Sequence, residues 1–412
     1  MAANLLAMGA GLPTLPALGK RLGGRRLHVS LGQSGAGSMP RFDYAAHLAA
    51  LAADPAAWPA RTGAVSLLAL DLSVPRPGLA GQLPAKRLRL EFLDYPGEWL
   101  LDLPLLRMDF AAWSEATLRR LEGSALAAGF LAFAAALPAG AGRDEALAGT
   151  GHRLYRSLLH RMHDEADLSY LQPGRFLMPA PGPEPPWMQF FPLRGHGGLA
   201  SLLAERYAAY CEAVRRDLLS PLFGKLDRLV VLADLLTALG AGADSFADAQ
   251  AGLAAASGAL RWQSSWTEAA AALLALQRPP PVIRRVAFAA TKSDHVAARQ
   301  RGNLRALLAR LAPAAGVATG HFAIASIRCT EDAVWRLGGR SVSAVRGRVL
   351  GQGGALSYPG EVPDQPPDGA FWTHEFFALP VFEPTRLPDA GRLGVPQLGL
   401  DELLAFLLDD LL

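Results

Sequence analysis

The chain has 412 residues, 51% of them hydrophobic and 19% charged, with 40 Lys and Arg against 37 Asp and Glu for a formal net charge of +3. This balance excludes a disordered chain and a bulk membrane protein, and acidic residues interspersed with the basic ones leave no basic stripe for nucleic acid. Two cysteines, Cys211 and Cys329, give neither a disulfide framework nor metal-ligand spacing and point to a reducing, cytoplasmic setting.

From the start, Met1 to Leu22 lacks the basic and then apolar regions of a signal peptide. Ala2 to Met8 reads as a helix that ends at Gly9, Gly11 and Pro13. Isolated helices below about 12 residues are marginal, so the expectation is a chain that opens partway through an element. Residues 23–40, rich in Gly and Ser, read as a loop, and a short helix follows from Asp43 to Ala53. Val65 to Leu72 is a strand candidate. Arg87 to Leu93 is a better one, because Leu88, Leu90 and Phe92 alternate with Arg87, Arg89 and Glu91. It ends in the turn Asp94-Tyr95-Pro96-Gly97.

Residues 99–225 read as an inserted helical subdomain, broken by a Pro-rich stretch from Pro173 to Pro192. The apolar run Ala125 to Leu137 falls short of the ~20 residues that a membrane-spanning helix needs, so no transmembrane segment is expected. Arg228 to Ala233, Ile283 to Ala290 and Gly320 to Ser326 are short apolar runs of the kind buried parallel strands use. Helical patterns at Trp266 to Gln277 and His295 to Leu311 alternate with them, which predicts an α/β fold: a mostly parallel sheet with helices on both faces and a large helical insertion. Ser341 to Leu350 suggests a further strand. Leu400, Leu403, Leu404, Leu407, Leu408 and Leu411 recur at helical spacing in a terminal helix expected to dock on the core. The expected divisions are 1–98 and 226–340 for the two parts of the core, 99–225 for the insertion, and 341–412 for a C-terminal extension.

Three strand ends carry chemistry. Asp94-x-x-Gly97 places an acid where α/β folds bind ligands, beyond the carboxyl end of a strand, and such an Asp can hold a Mg²⁺ shell. Gly97, without a Cβ, lets its N–H approach a terminal phosphate. Loss of that phosphate would release the turn and residues 98–107. The other reading is an ordinary strand-ending turn. Thr291-Lys292-Ser293-Asp294 follows a buried-type strand. The Asp294 carboxylate, an acceptor only, can take the two adjacent N–H donors on the edge of guanine, whereas adenine would leave it unpaired. Lys292 can lie along the base. The other reading here is a capping turn with Ser293 or Asp294 as N-cap. Ala325-Ser326-Ile327, after the next strand, could offer backbone N–H groups to the guanine carbonyl. Asp234, at the end of the strand from Arg228, reads as a structural acid or as one that supports a ligand-contacting neighbour, the structural role being the plainer.

The stretch from Leu93 to Leu106, Leu-Asp-Tyr-Pro-Gly-Glu-Trp-Leu-Leu-Asp-Leu-Pro-Leu-Leu, resembles the signature of the YcjX-like family of bacterial stress proteins. So do Tyr170-Leu171-Gln172-Pro173-Gly174-Arg175-Phe176, Phe190-Phe191-Pro192-Leu193, Val345-Arg346-Gly347 and Pro359-Gly360-Glu361. The resemblance implies a P-loop, GTPase-like fold, binding of GTP or GDP with Mg²⁺, slow hydrolysis, and a stress-related role beside a membrane-associated protein partner. It thereby implies a cytoplasmic protein held peripherally at the inner membrane. Glu98 then takes the place where related GTPases set a side chain that orients water, although a solvent-facing Glu fits equally.

A P-loop needs Gly-x-x-x-x-Gly-Lys-Ser/Thr between a strand and a helix, and these residues contain none. Gly19-Lys20-Arg21 has the wrong spacing and lacks the hydroxyl; Gly32 to Gly37 has the spacing but no Lys. The expectation is therefore either a start assigned at an internal Met or a lost phosphate site, with poor GTP binding and no hydrolysis by this chain. The reading from another class is a non-catalytic interaction protein that binds a partner through residues 99–225.

Overall fold

The computed structural model describes residues 1–33, 39–59, 65–78, 82–179, 182–217, 226–274, 283–314, 317–357, 360–373 and 379–412, without the side chains of residues 259–274, 337, 356 and 390. The alternating residues near position 90 form β3 (Lys86–Asp94), which pairs antiparallel with β2 (Ser66–Val74) so that Asp94 stands opposite Ser66. On the far side of β2 lies β1 (His28–Leu31), inside the stretch expected to be a loop. Four residues are too few for a period to show, and pairing with β2 makes them a strand. Of the glycines in that stretch, those at positions 35 and 37 lie outside the described residues.

Parallel pairing occurs in a second sheet, ordered β4 (Arg228–Ala233), β5 (Arg285–Ala290), β6 (Ala318–Ala323). Its register sets Ala233, Ala290 and Ala323 in line at the carboxyl ends. The crossovers run through α9 (Leu235–Ala241) and α10 (Ala243–Leu274), then through α11 (Arg301–Leu311). A third sheet, antiparallel, holds β7 (Thr330–Leu337), β8 (Arg340–Val349) and β9 (Gly353–Ser357). The expectation of a mostly parallel sheet thus holds for β4, β5 and β6 and does not extend to the other two sheets, which are antiparallel. The connections from β2 to β3 and within the third sheet are too short for a crossover helix, so those strands return antiparallel.

Both faces of the parallel sheet are covered, as expected of strands that are apolar throughout. Val286, Phe288 and Ala290 of β5 face a large core shared with α11 and with α4 (Phe110–Leu121), α6 (Glu145–Ala166) and α8 (Gly198–Val214). Aromatic edges and faces fill that core, with Trp113 5.4 Å from Phe190 and 5.2 Å from Tyr207 between ring centroids. Within the Pro-rich stretch a four-residue helix, Gly174–Leu177, forms directly after Pro173, a correction to the expectation of no helix there. On the other face Ala287 and Ala289 meet Leu400, Leu403 and Leu407 of the terminal helix (Leu400–Leu408).

That terminal helix also turns Leu404 and Leu408 to Leu68, Leu70 and Leu72 of β2, so it ties the first sheet to the second. Its last carbonyls are met by arginines from the amino ends of β4 and β5: Arg228 Nε donates to Leu407 O at 2.7 Å and Arg285 to Phe406 O at 2.9 Å. Cations at a helix C-terminus satisfy orphan carbonyls and oppose the helix dipole. The helix Ala2–Gly9 joins the same core through Leu5. Among the described residues no helix is long and apolar enough to cross a membrane.

Candidate functional site

Three strand ends of the parallel sheet converge at one rim. Beyond β5 the backbone leaves the ladder at Thr291, whose N–H donates to Ala233 O of β4 at 2.9 Å. Lys292 then adopts a left-handed conformation, φ 59°, and Ser293 N–H donates to Ile324 O, just past β6, at 3.0 Å. The loop is therefore stretched across the sheet from β4 to β6.

Lys292 and Asp294 point to opposite sides of this stretch. Lys292 Nζ lies 2.6 Å from Asp234 Oδ2 and 2.8 Å from Thr237 Oγ1. Asp234 also caps the helix Leu235–Ala241, accepting the Thr237 N–H at 3.1 Å. Asp294 is buried; its Oδ2 accepts the Cys329 N–H at 2.7 Å and its carbonyl accepts the Thr330 hydroxyl. Neither Ser293 nor Asp294 caps α11, whose N-cap is Gln300, so the capping alternative does not hold. Burial lowers the pKa of the neighbouring His295, whose ring stacks on Phe382 at 5.0 Å. Burial likewise pushes the Cys329 thiol up to about 12, which keeps it protonated and unreactive.

Ala325 lies beside this loop but gives its N–H to Leu398 O at 2.9 Å, so the donors that turn can offer a ligand belong to Ser326 and Ile327. Asp94 ends β3 in the other sheet. Among the described residues no hydrogen bond or ion pair joins Asp94, Gly97 or Glu98 to residues 291–294, and no cation pairs with Asp94. No group of three or more His, Cys, Asp or Glu stands ready to hold a metal among them either. A single carboxylate still suits Mg²⁺, which keeps several waters and takes its remaining ligands from phosphates.

Residues after Asp94 are fixed from a distance. The Trp99 indole donates to Met178 O at 2.6 Å and stacks under the Arg175 guanidinium at 4.9 Å. Asp102 is fully buried, accepting the Gly174 N–H at 2.7 Å and the Tyr210 hydroxyl. Sequence reasoning singled out neither Asp102 nor Arg175. The signal available was one carboxylate alone in an apolar run, Leu100-Leu101-Asp102-Leu103.

The fold and this rim define an α/β protein that presents a Thr-Lys-Ser-Asp loop and a small-residue turn at the carboxyl ends of parallel strands, where such folds place ligands. The family model described as "YcjX-like family, DUF463" matches residues 1–412, and the chain belongs to that family. It is 33% identical over 397 residues to a protein of Escherichia coli (strain K12) named "Ras-like GTPase YcjX", covering 90% of this chain and 83% of that one. A protein of Shewanella oneidensis with the same name is 32% identical over 398 residues, covering 90% of this chain and 80% of that one.

Proposed function

We propose that the chain is a guanine-nucleotide-dependent switch of the Ras-like kind, with GTP or GDP and Mg²⁺ as ligands and residues 291–294 as the base reader. The observation that carries this is the loop itself: a buried acid and a left-handed lysine held at the carboxyl ends of three parallel strands, with neither side chain making a capping hydrogen bond to a helix. Asp294 takes the paired donors of guanine; its oxygens have lone pairs left after the single bond from Cys329. Ser326 and Ile327 present N–H groups to the guanine carbonyl. Asp94 would stand in the Mg²⁺ shell, where the ion offsets phosphate charge, and Gly97 would sense the terminal phosphate. Glu98 orients water in this reading. The stress-related role and the membrane-associated partner are carried by the family resemblance alone.

These 412 residues hold no Gly-x-x-x-x-Gly-Lys-Ser/Thr stretch, so no such backbone cradle and lysine meet a triphosphate within them. The residues therefore fit the base and not the phosphates. A calorimetric titration of residues 1–412 with GTP should show weak binding and no turnover. Tight binding would overturn this division of the site. The missing motif also favours the second reading, a non-catalytic protein that uses the helices of residues 99–225 to bind a partner; retention of any guanine preference over adenine speaks against it.

A further inference from the structure

We propose that Asp234 and Thr237 are positioning residues that set Lys292 for guanine recognition, an assignment that rests on the base-reading role of residues 291–294. Lys292 is one of three non-glycine residues with positive φ among those described, at 59°. A left-handed conformation is strained for a lysine, so contacts elsewhere must hold it. Its backbone neighbours are pinned on both sides, Thr291 to Ala233 at 2.9 Å and Ser293 to Ile324 at 3.0 Å. The side chain is held by a ring of three groups: Nζ to Asp234 Oδ2 at 2.6 Å, Nζ to Thr237 Oγ1 at 2.8 Å, and Thr237 Oγ1 to Asp234 Oδ2 at 2.8 Å.

This ring does two things at once. It fixes the kink that sends Asp294 toward β6, because the lysine is drawn toward β4 while the acid is drawn to Cys329. It also neutralises Asp234, which would otherwise set an unpaired negative charge beside an anionic ligand. All the groups are accessible, with side chains of Lys292 and Asp234 exposed by 43% and 39%. A ligand can therefore reach the lysine without unfolding the rim.

Asp234 also caps a helix, so a variant must separate the two roles. Asp234→Asn keeps an equally good N-cap and removes the charge. The 412-residue chain contains four lysines, so ¹³C-lysine NMR resolves the Lys292 signal. Asp234→Asn should move that signal while leaving the thermal midpoint near its original value. Saturation-transfer NMR with guanosine and adenosine reads weak base binding directly. The unaltered chain should favour guanosine. Asp234→Asn should weaken guanosine by about two- to five-fold, the range of a solvent-exposed ion pair, and leave adenosine unchanged. Asp234→Asn with Lys292→Met should be no worse than Lys292→Met alone, since both remove one interaction. A guanosine affinity unchanged in Asp234→Asn, or losses that simply add, overturns the assignment. An unaltered chain that treats guanosine and adenosine alike overturns the base-reading role itself, and the assignment falls with it.

Discussion

Replacing Asp102 by Asn tests how the interior handles its one carboxylate in the Leu100 to Leu106 run. Asp102 is fully buried, and burial pushes its pKa up to about 6, against the opposing pull of the Tyr210 hydroxyl, the Gly174 N–H and the Arg175 guanidinium. An unfolded Asp titrates near 3.9. Between those two values the folded chain holds a proton that the unfolded chain has released, so stability falls as the pH rises through this window. About two pH units at 1.36 kcal/mol each give a loss of roughly 3 kcal/mol by pH 7. Asn has nothing to titrate, and its carbonyl can still accept from Gly174. Urea unfolding followed by circular dichroism at matched ionic strength should therefore show Asp102→Asn gaining on the unaltered chain by roughly 3 kcal/mol between about pH 4 and pH 7. A gap that stays constant or shrinks as the pH rises would refute the argument, because it would mean that the hydrogen bonds outweigh the desolvation.

Two further outcomes are expected. A methyl group at Gly174 would overlap the carbonyl of Glu98, so Gly174→Ala should destabilise by about 3 kcal/mol, the upper end for overpacking, read as a lower thermal midpoint; an unchanged midpoint would show that the two segments separate freely. Arg228→Met removes a hydrogen bond to Leu407 O at 2.7 Å and an ion pair with Asp410 at 2.7 Å, and should cost about 1 to 2 kcal/mol by urea unfolding. Arg216→Met, which loses only an exposed pair with Asp217, should cost almost nothing. Equal losses in the two variants would sink the claim that Arg228 anchors the terminal helix.

What the sequence discloses depends on whether a residue's role is set by its neighbours in the chain or by residues far along it. β3 and the terminal helix are legible because their burial follows a local period, Leu88, Leu90 and Phe92 at two, Leu400, Leu403, Leu404 and Leu407 at three and four, and β5 because it is apolar and buried almost throughout. β1 is not, with four residues and no core of its own, and β7 is not, because Glu331, Asp332 and Arg336 break any apolar pattern in a hairpin exposed along much of its length. Of the 32-residue helix Ala243–Leu274 the sequence pattern marks only the part from Trp266, whose expected end at residues 275–277 lies outside the described residues, since Ala, Gly and Ser dilute the apolar pattern before it. At the rim, the polar tetrapeptide after a buried run was visible. The Cys329 N–H that holds Asp294 lies 35 residues away, and the left-handed turn falls on a lysine and not on a glycine that would have announced it.

The same long-range ties limit how far the turn at Asp94 can move. The sequence suggests that loss of a terminal phosphate would free residues 98–107 as a unit. Such a motion would expose Trp99, Leu103 and Leu105, all buried, and break the bonds of Trp99 to Met178, Leu101 to Gln172 and Asp102 to Gly174. Three large apolar side chains at about 2 to 3 kcal/mol and three hydrogen bonds at about 1 kcal/mol sum to on the order of 10 kcal/mol. Carrying a two-state equilibrium from 1:99 to 99:1 takes about 5.5 kcal/mol of differential binding, so one phosphate contact at Gly97 cannot release the whole segment. In the proposed switch, movement would therefore be confined to the turn ahead of Trp99, where Gly97 is exposed. The helices of residues 99–225 would feel it through Glu98, whose carbonyl packs on Gly174.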